Sequence, residues 1–394
     1  MSTQQKQLAL HIAPTPFFAD RGCHIRIEGI VRCLQQNGWD SLVCTYHHGH
    51  DVATVKTARI SPIKAYTQTT AGPNPWKLWA DIKLLWLALK QTKRQRPNVI
   101  HAHLHEGLFI ALLVKWLLFW RRIPVIADLQ GSFTGELDSH GVFKKVPFLK
   151  PVSRLCERIL MWFPNHIVCS SERSLSLFVE QFSISESRIS LAQDGADEAA
   201  KLSLEQRVKL RKQYGLPEHK SLIVYSGALL PAKGLAELQA LILESQANNC
   251  DVHFLIIGYP TTNLEEFLTQ NSLASSCSLL GQVPFEQLQP LLGSADIAVD
   301  PKNFDAGEGS GKMLNYIACG LPVLAFDTQN NRSFLPPTSP LAATVSDLVE
   351  QLKTWSKDTK ARSHVGQNNL DYFKSRYSWK VTQAQLSNAY NNLK

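Results

Sequence analysis

The sequence predicts an α/β protein made of two doubly wound, Rossmann-like domains of parallel sheet that face each other across a cleft. Three observations lead to this prediction. The chain has 394 residues, more than one hydrophobic core usually serves. Short apolar runs alternate with longer amphipathic runs, as in successive βαβ units. The alternation then starts afresh after a DGAD stretch at residues 194–197, which is suited to a hinge.

The first domain is predicted to cover residues 1–198. Its strands are expected in the short apolar runs Leu8–Ala13, Ser41–Tyr46, Val99–His103, Pro124–Asp128, His166–Cys169 and Ile189–Ala192. Its helices are expected in the longer runs Cys23–Gln36, Trp76–Arg94, Gly107–Trp120, Pro151–Trp162 and Glu172–Gln181. Because a helix separates most successive strands, the strands are predicted to be parallel.

The second domain is predicted to begin at residue 199 with a charged helix over Glu205–Tyr214, which Gly215 and Pro217 end. Its strands are expected at Leu222–Ser226, Val252–Ile257, Ser278–Leu280, Ile297–Asp300 and Pro322–Ala325. Its further helices are expected at Gly234–Gln246, Phe285–Gly293 and Lys312–Ala318. Ligands of such sheets bind beyond the carboxyl ends of the strands, so the loops at that edge are the candidate sites.

Composition favours a protein of the reducing cytosol. Hydrophobic residues make up 44% of the chain and charged residues 19%, as in ordinary globular proteins. The eight cysteines are scattered and form no CxxC pair, which argues against a zinc site and a disulfide framework. The apolar stretch Leu8–Ala13 is too short for a signal peptide.

The net charge of +8 lies almost entirely in the first half of the chain. Residues 1–200 contain 23 Lys and Arg against 16 Asp and Glu, whereas the remainder contains 18 against 17. A basic surface predicts an anionic partner. No nucleic-acid-binding pattern accompanies the excess, so nucleic acid is not expected as a partner.

An anionic membrane surface is one predicted partner of this basic half. Basic residues gather around Phe148, Trp162 and Phe163, namely Lys144, Lys145, Lys150, Arg154 and Arg158. A merely soluble basic surface would have the same composition, and both interpretations stay open. The apolar segment Gly107–Trp120 is too short to span a bilayer and contains Lys115, which indicates a buried or membrane-surface helix.

Two strand-to-helix loops have residues suited to an anionic ligand. The first, Pro14–Gly22, ends in a glycine that allows close backbone approach at a helix N-terminus. The second, Tyr225–Gly234, contains Gly227 and Lys233, and a lysine there can neutralise a diphosphate. An ordinary turn and a solvated lysine are the alternatives.

The segment Asp305–Gly320 (DAGEGSGKMLNYIACG) resembles a phosphate-binding P-loop but lacks two of its residues. Ala306 stands where glycine is required, and Met313 stands where Ser or Thr is required. A glycine-rich loop remains, leading into a helix that begins near Ser310–Lys312 and can bind a diphosphate through its N-terminus. One turn further on, Asn315 can form a hydrogen bond to a ribose hydroxyl.

No metal or nicotinamide cofactor is predicted. His101, His103 and His105 alternate at the end of a predicted strand, with Glu106 beside them, and favour a polar lining over a metal site. The chain has neither a DxD pair nor a GxGxxG motif. The loop Ala127–Glu136, which contains Gln130, is predicted to contact a transferred sugar or an acceptor, with a solvated loop as the alternative.

The order of these motifs resembles glycosyltransferase family 4, a retaining group with the GT-B fold. The resemblance covers nearly the whole chain through the loop ending at Gly22, NVIHAH, IPVIADLQG, HIVCSS, DGAD, SGALLPAKG, FLIIG, ADIAVDP and GEGSGKMLNYIACGLPVLAFD. It implies an acceptor-binding domain at 1–198 and a nucleotide-sugar-binding domain at 199–376. It also implies that a final helix, within 377–394, crosses back to the first domain.

The resemblance also implies roles for particular residues. Gly22 would contact the phosphate or sugar, Lys233 would neutralise the leaving diphosphate, and Glu308 would face the donor sugar. The phosphates would be held by the loop that contains Gly227 and by Gly309, Ser310, Gly311 and Lys312. Asn315 would face the ribose, where the family commonly has a second glutamate, which marks the chain as a subgroup.

Two more departures bear on catalysis. Ala228 stands next to Gly227 where the family often has arginine, so Lys233 is expected to meet the diphosphate charge largely alone. Gln130 stands where many members have histidine, and glutamine acts by hydrogen bonding rather than proton transfer.

The predicted function is therefore retaining, metal-independent transfer of a sugar, hexosyltransferase-like, from a UDP- or GDP-linked donor. The predicted acceptor is a glycan or a lipid-linked molecule, in polysaccharide or glycolipid synthesis, with a cytoplasmic location that includes the inner face of the membrane. Two alternatives stay open: a non-catalytic sugar-nucleotide-binding subunit, and another GT-B enzyme such as a sugar-nucleotide epimerase.

Overall fold

The computed structural model describes residues 7–19, 22–67, 74–139, 142–304, 311–391 and 393. The chain divides into two compact units. The first contains residues 1–195 together with 379–394, and the second contains residues 196–378. Each unit is built on one parallel sheet, so the predicted fold class of two α/β domains is confirmed.

Seven parallel strands form the sheet of the first unit, in the order β3-β2-β1-β4-β5-β6-β7. They are β1 (Leu8–Ala13), β2 (Asp40–Thr45), β3 (Thr57–Arg59), β4 (Val99–His103), β5 (Val125–Leu129), β6 (His166–Cys169) and β7 (Ile189–Leu191). The strand order reverses at β1, whose neighbours are β2 and β4. In open α/β sheets, ligands bind at such a reversal.

The helices of the first unit pack against both faces of this sheet. They are α1 (Gly22–Gln36), α2 (Trp76–Gln95), α3 (Leu104–Leu117), α4 (Phe133–Ser139), α5 (Val142–Lys145), α6 (Leu149–Leu160), α7 (Glu172–Phe182) and α16 (Trp379–Asn391). Helices α1 and α16 share one apolar core with the sheet, and α2 and α3 share another. No helix in the described ranges is long and apolar enough to cross a bilayer.

The C-terminal helix α16 packs closely on α1. A Cβ atom on Gly29 would lie 2.0 Å from the Trp379 ring, and one on Gly195 would lie 2.6 Å from it. Only glycine therefore allows the indole ring to occupy this position. Asn37 and Gln383 join the same two helices through side-chain hydrogen bonds.

Five parallel strands form the sheet of the second unit, in the order β10-β9-β8-β11-β12. They are β8 (Ser221–Ser226), β9 (Val252–Ile257), β10 (Cys277–Gly281), β11 (Ile297–Asp300) and β12 (Val323–Ala325). The helices are α8 (Leu204–Gln213), α9 (Leu235–Ala247), α10 (Thr262–Gln270), α11 (Phe285–Ser294), α12 (Gly311–Ala318), α13 (Gln329–Phe334), α14 (Val345–Lys357) and α15 (Thr359–Arg376). The strand order reverses at β8, which lies between β9 and β11.

Several elements escaped the sequence prediction. Strand β3 has three residues, too few to show a period of two. Helix α3 begins at Leu104 instead of Gly107 and ends at Leu117. Helices α4, α5, α10, α13, α14 and α15 had no counterpart in the prediction.

Candidate active site

Glycines bring the backbone of two strands into contact at the carboxyl edge of the second sheet. Gly227 follows β8 with a φ of 137°, a conformation that favours glycine. Gly258 follows β9, and a Cβ atom there would lie 1.9 Å from the Gly227 carbonyl oxygen. The two strand ends can therefore pack this closely only with glycine at position 258, and Gly227 itself is exposed at this edge.

Lys233 lies at the same edge, in a short 3₁₀ turn that precedes α9. The next residue, Gly234, has a φ of 85°, and a Cβ atom there would lie 2.5 Å from the Pro301 carbonyl oxygen. The turn is thus pressed against the chain that leaves β11. Lys233 itself is half-buried, so its position is set by the packing of the turn.

Lys312, in the first turn of α12, forms an ion pair with Asp300 at the end of β11. Its Nζ lies 2.6 Å from Asp300 Oδ1 and 4.8 Å from the centroid of the Tyr225 ring. Asp300 is 1% exposed, and a buried carboxylate requires a cation nearby. The charge of Lys312 is therefore partly compensated, and its donor-binding role stays a prediction.

Helix α12 is fixed to the sheet through its buried face. The amide N–H of Ser226 donates a hydrogen bond to Tyr316 Oη at 2.7 Å, and Met313 and Ile317 are fully buried. Asn315 is half-buried, and Gly311 is exposed at the start of the helix. Glu308, Gly309 and Ser310 lie outside the described residues.

Lys302 was not among the predicted site residues, although it lies at the same edge two residues after β11. It is only 8% exposed, and its Nζ lies 5.4 Å from the centroid of the Phe304 ring. A cation directly after a buried strand is the signal that sequence reasoning passed over. Lys302 brings a third lysine to the edge that carries Lys233 and Lys312.

In the first unit, Gly22 begins α1 and is exposed. The loop before it is fixed by His24, another residue that the sequence analysis did not single out. The Ala19 amide donates to His24 Nδ1 at 2.9 Å, so Nε2 carries the proton and donates to Thr15 Oγ1 at 2.6 Å. His24 therefore holds the described part of the β1–α1 loop against its own helix.

Gln130 follows β5 and is half-buried. Its side-chain Nε2 is inaccessible to solvent and has no hydrogen-bond partner in the described part of the protein. Its backbone carbonyl accepts a hydrogen bond from Ser174 Oγ at 3.4 Å. Buried donors are normally paired. The unused Nε2 of Gln130 therefore has the capacity to donate a hydrogen bond to a ligand hydroxyl.

The histidines of the HAHLH segment do not share one strand face as their spacing suggested. Strand β4 ends at His103 and α3 begins at Leu104, so His105 belongs to the helix. His11, on the neighbouring strand β1, takes its place beside His101 and His103. Their rings stack with centroids 4.7–5.3 Å apart and interplanar angles of 14–31°.

These three histidines belong to a buried hydrogen-bond network between the sheet and helices α1 and α16. His11 Nδ1 lies 3.0 Å from His103 Nε2, and His103 Nδ1 lies 2.9 Å from Asp128 Oδ2. His101 Nδ1 lies 2.8 Å from Tyr390 Oη of α16. Hydrogen bonds thus connect three strands, and ring contacts of His101 with His11 and His103 link them to Tyr390 on the C-terminal helix.

Burial and neighbouring charges set the ionisation of the network. Burial, reinforced by His103, lowers the pKa of His101 to about 3, and it lowers the pKa of His11 well below its usual value. Burial alone would raise the pKa of Asp128, but Arg26 and His103 outweigh it and hold that pKa well below the ordinary range. At neutral pH, His11 and His101 are therefore uncharged beside an ionised Asp128.

The same histidines are the group of metal-ligating residues that the described ranges contain. One ligand atom from each lies within 4.8 Å of the others. However, the rings stack in near-parallel planes, whereas ligands of one ion point toward a common centre. His103 also has both ring nitrogens within hydrogen-bond distance of a side chain. The geometry is that of a polar network, and the expectation of no metal stays a prediction.

Two parallel α/β units with these residues at their strand ends define a protein of the GT-B class. A sucrose-phosphate synthase from Thermosynechococcus elongatus has the same fold, with a TM-score of 0.76 and 14% identity over 98% of this chain and 99% of that one. The HepE protein of Anabaena, solved with UDP and glucose, superposes with a TM-score of 0.71 and 15% identity over 98% and 99% of the two chains.

Matches to two protein-family models narrow this class to one family. Residues 21–192 match the glycosyl transferase 4-like domain, and residues 206–371 match glycosyl transferases group 1. The chain is therefore a family 4-like glycosyltransferase of the GT-B fold. It is also similar to the D-inositol 3-phosphate glycosyltransferase of Corynebacterium efficiens, with 23% identity over 75% of this chain and 72% of the relative. The enzyme of the same name from Corynebacterium glutamicum is 22% identical over 76% of this chain and 74% of the relative.

Proposed function

We propose that this glycosyltransferase moves a sugar from a nucleoside-diphosphate sugar, UDP- or GDP-linked, to a glycan or lipid-linked acceptor. The transfer retains the anomeric configuration and needs neither a metal nor another cofactor. Support for the donor comes from the family match and from the similarity to a structure that binds UDP and glucose. Similarity to inositol-phosphate glycosyltransferases supports a polar, hydroxyl-bearing acceptor.

The observation that carries the proposal is the cationic, glycine-rich edge of the second sheet. Gly227 is exposed there, Lys233 lies in the turn before α9, and α12 begins at the same edge with Lys312 in its first turn. Backbone N–H groups at a helix start and nearby ammonium groups are what a diphosphate binds. In the proposed site, this edge holds the donor diphosphate, Asn315 binds the ribose and Glu308 faces the sugar.

The chemical task of the site is to stabilise negative charge on the leaving diphosphate. In the proposed site, Lys233 supplies cationic stabilisation together with Lys312, which also pairs with Asp300. Backbone amides of Ser310 and Gly311 and the dipole of α12 add to it. The ion pair of Lys312 with Asp300 also fixes the start of α12 to the end of β11.

In this proposal, residues of the first unit orient the sugar and the acceptor. Gly22 offers backbone N–H groups at the start of α1, and Gln130 donates a hydrogen bond to the sugar or the acceptor. Glutamine transfers no proton at neutral pH, so Gln130 positions a substrate and does not act as an acid or base. We place the activity in polysaccharide or glycolipid synthesis, in the cytoplasm and at the inner face of the membrane.

A donor screen followed by a transfer assay tests the proposal. A true donor at one hundred times its Kd stabilises the folded protein by about 2.7 kcal/mol, which thermal unfolding detects. The stabilising nucleotide sugar is then incubated with candidate acceptors, and NMR of the product reports the anomeric configuration. Product formed without an acceptor would indicate the epimerase alternative, and stabilisation without turnover would indicate the non-catalytic subunit.

A further inference from the structure

The first unit exposes an unusually aromatic surface on three neighbouring helices. We define the aromatic face as the exposed large apolar side chains of α2, α3 and α6, of the segments that follow α3 and α6, and of the residue before α6. Its members are Trp76, Leu78, Trp79, Ile82, Trp86, Phe109, Trp116, Leu117, Phe119, Trp120, Phe148, Leu149, Val152, Leu155, Ile159, Trp162 and Phe163. Apolar patches this large mark interaction surfaces.

Tryptophan dominates this face. The chain has nine tryptophans, and six of them lie on it with 46–68% of their surface exposed. The six are Trp76, Trp79, Trp86, Trp116, Trp120 and Trp162. Indole rings are normally turned inward in a soluble domain, so their common exposure on one face requires a partner. Tryptophan is the side chain most enriched where a protein meets the interface of a bilayer.

The three helices form one continuous surface. Helix α3 packs beside α2, where Arg121, just after α3, donates to the Thr92 carbonyl at 2.9 Å. On its other side, the Trp116 ring lies 5.5 Å from the Phe163 ring, just after α6. Lys115 also donates to Asn165 Oδ1 at 2.9 Å. The exposed aromatic side chains therefore belong to one surface of the first unit.

The charges on these helices are sorted by sign. Each helix contains one acidic residue, and all three are engaged within the protein. Asp81 accepts a hydrogen bond from Tyr46 at 2.6 Å, Glu106 pairs with Lys77 at 2.7 Å, and Glu157 is 2% exposed. The exposed basic residues of these segments are Lys90, Lys93, Arg94, Arg122, Lys150, Arg154 and Arg158.

We propose that the aromatic face docks the first unit on an anionic lipid bilayer. Its tryptophans would lie in the headgroup region, and its basic side chains would pair with lipid phosphates. The sequence predicted basic residues around α6 and a buried or membrane-surface helix at Gly107–Trp120, and the side chains of Lys144 and Lys145 lie outside the described part. The structure extends the surface to α2 and α3, where most of the tryptophans lie.

A second copy of the chain is a poorer occupant of this face. In a symmetric dimer, the same surface meets itself, so its basic side chains would face one another; among them, only Lys150 has a described acidic partner, Asp138 at 2.7 Å. An anionic bilayer both covers the apolar surface and neutralises the positive charge. Docking on a bilayer does not depend on the proposed function. If the proposed function holds, docking favours a lipid-linked acceptor over a soluble glycan.

Vesicle flotation of the full chain tests the proposal directly. Vesicles of phosphatidylcholine alone are compared with vesicles that contain phosphatidylglycerol. We expect co-flotation with the anionic vesicles and a blue shift of tryptophan emission, because six of the nine indoles report on this face. Absence of both signals at low salt would overturn the proposal.

Matched variants distinguish lipid docking through this face from nonspecific adsorption to vesicles. Replacing Trp79, Trp86 and Trp116 by serine should lower the partition coefficient by about tenfold or more. The control replaces Leu204 and Leu243, which are 78% and 41% exposed on the second unit, by serine and should bind like wild type. Equal binding by the tryptophan variant would refute the proposal, as would a stable dimer of wild type that this variant abolishes.

A donor-binding measurement keeps this result distinct from the proposed function. The tryptophan variant must retain the thermal stabilisation given by UDP or GDP, because it leaves the second sheet unchanged. Retained nucleotide binding together with lost flotation supports docking through the aromatic face. Failure of every nucleotide to bind, with flotation intact, would reject the proposed donor chemistry and leave the docking surface standing.

Discussion

The guanidinium of Arg26 donates to the carboxylate of Asp128 at 2.6 Å, and both side chains are almost completely buried. Arg26 also donates to Asp194 Oδ1 at 2.7 Å and to the Ala192 carbonyl at 2.9 Å. The pair joins α1, which begins at Gly22, to β5, which leads to Gln130. One buried ion pair therefore fixes the relative position of two predicted site residues.

Replacing Arg26 by leucine should destabilise the protein by roughly 3–5 kcal/mol, because Asp128 would be left as an uncompensated buried charge. Urea unfolding followed by circular dichroism measures the loss. Arg158→Leu is the matched control, since Arg158 is exposed on α6 and should change stability little. A loss below about 1 kcal/mol for Arg26→Leu would contradict this role of the ion pair.

Stability should fall as the pH drops from about 6.5 toward 3. Burial lowers the pKa of His101 to about 3 in the folded protein, while the unfolded chain binds a proton near 6.5. The unfolded state therefore binds more protons in this window, and acidification costs up to about 1.4 kcal/mol per pH unit for this histidine. Thermal unfolding at pH 7.5, 6.5, 5.5 and 5.0 gives the slope.

The variant His101→Phe should flatten that slope, because it removes the titrating group. His219→Gln serves as the control, since His219 is exposed in the second unit. An unchanged slope in His101→Phe would show that His101 does not govern the acid sensitivity. A slope changed equally in both variants would lead to the same conclusion.

Lys233→Ala should nearly abolish transfer while leaving the fold intact. Removing a preorganised group that stabilises developing charge costs about 2.7–4 kcal/mol, or on the order of 10²–10³ in kcat. Lys209→Ala, at an exposed position of α8, should keep wild-type turnover. If Lys233→Ala turned over the identified donor at a near-normal rate, the assignment of the diphosphate site would be wrong.

Gln130→Ala should lower turnover by one hydrogen bond, roughly 0.5–1.5 kcal/mol. Gln130 Nε2, which has no partner among the described residues, has donor capacity for a substrate hydroxyl, but an amide does not act as a general acid or base. Initial rates with saturating donor and acceptor measure the effect. A loss of many thousandfold, with unfolding by urea unchanged, would mean that Gln130 takes part in the chemistry itself.

Transfer should persist in a strong chelator. The sequence has no DxD pair, and the stacked histidines of the first unit form a hydrogen-bond network. Turnover is compared before and after dialysis against EDTA. Activity that disappears in EDTA and returns with Mg²⁺ or Mn²⁺ would contradict the metal-independent mechanism.

The sequence by itself determined the architecture and the main candidate loops. Alternation of apolar strands and amphipathic helices is local, so it predicted two parallel α/β domains without knowledge of any contact. Turn chemistry is local too. Gly227 and Lys233 could be singled out because a glycine and a lysine between strand and helix suit a phosphate, with a solvated lysine as the alternative, and their role stays a prediction.

Only the tertiary structure decided which distant side chains meet. His11 meets His103 across 92 positions and Arg26 meets Asp194 across 168, because strand order places residues side by side that no local period relates. The pairing of Lys312 with Asp300 depends likewise on where α12 packs. Exposure was decided in the same way. The apolar segment of α3 left a buried and a membrane-surface helix open, and only packing shows that Phe109, Trp116 and Leu117 remain at the surface.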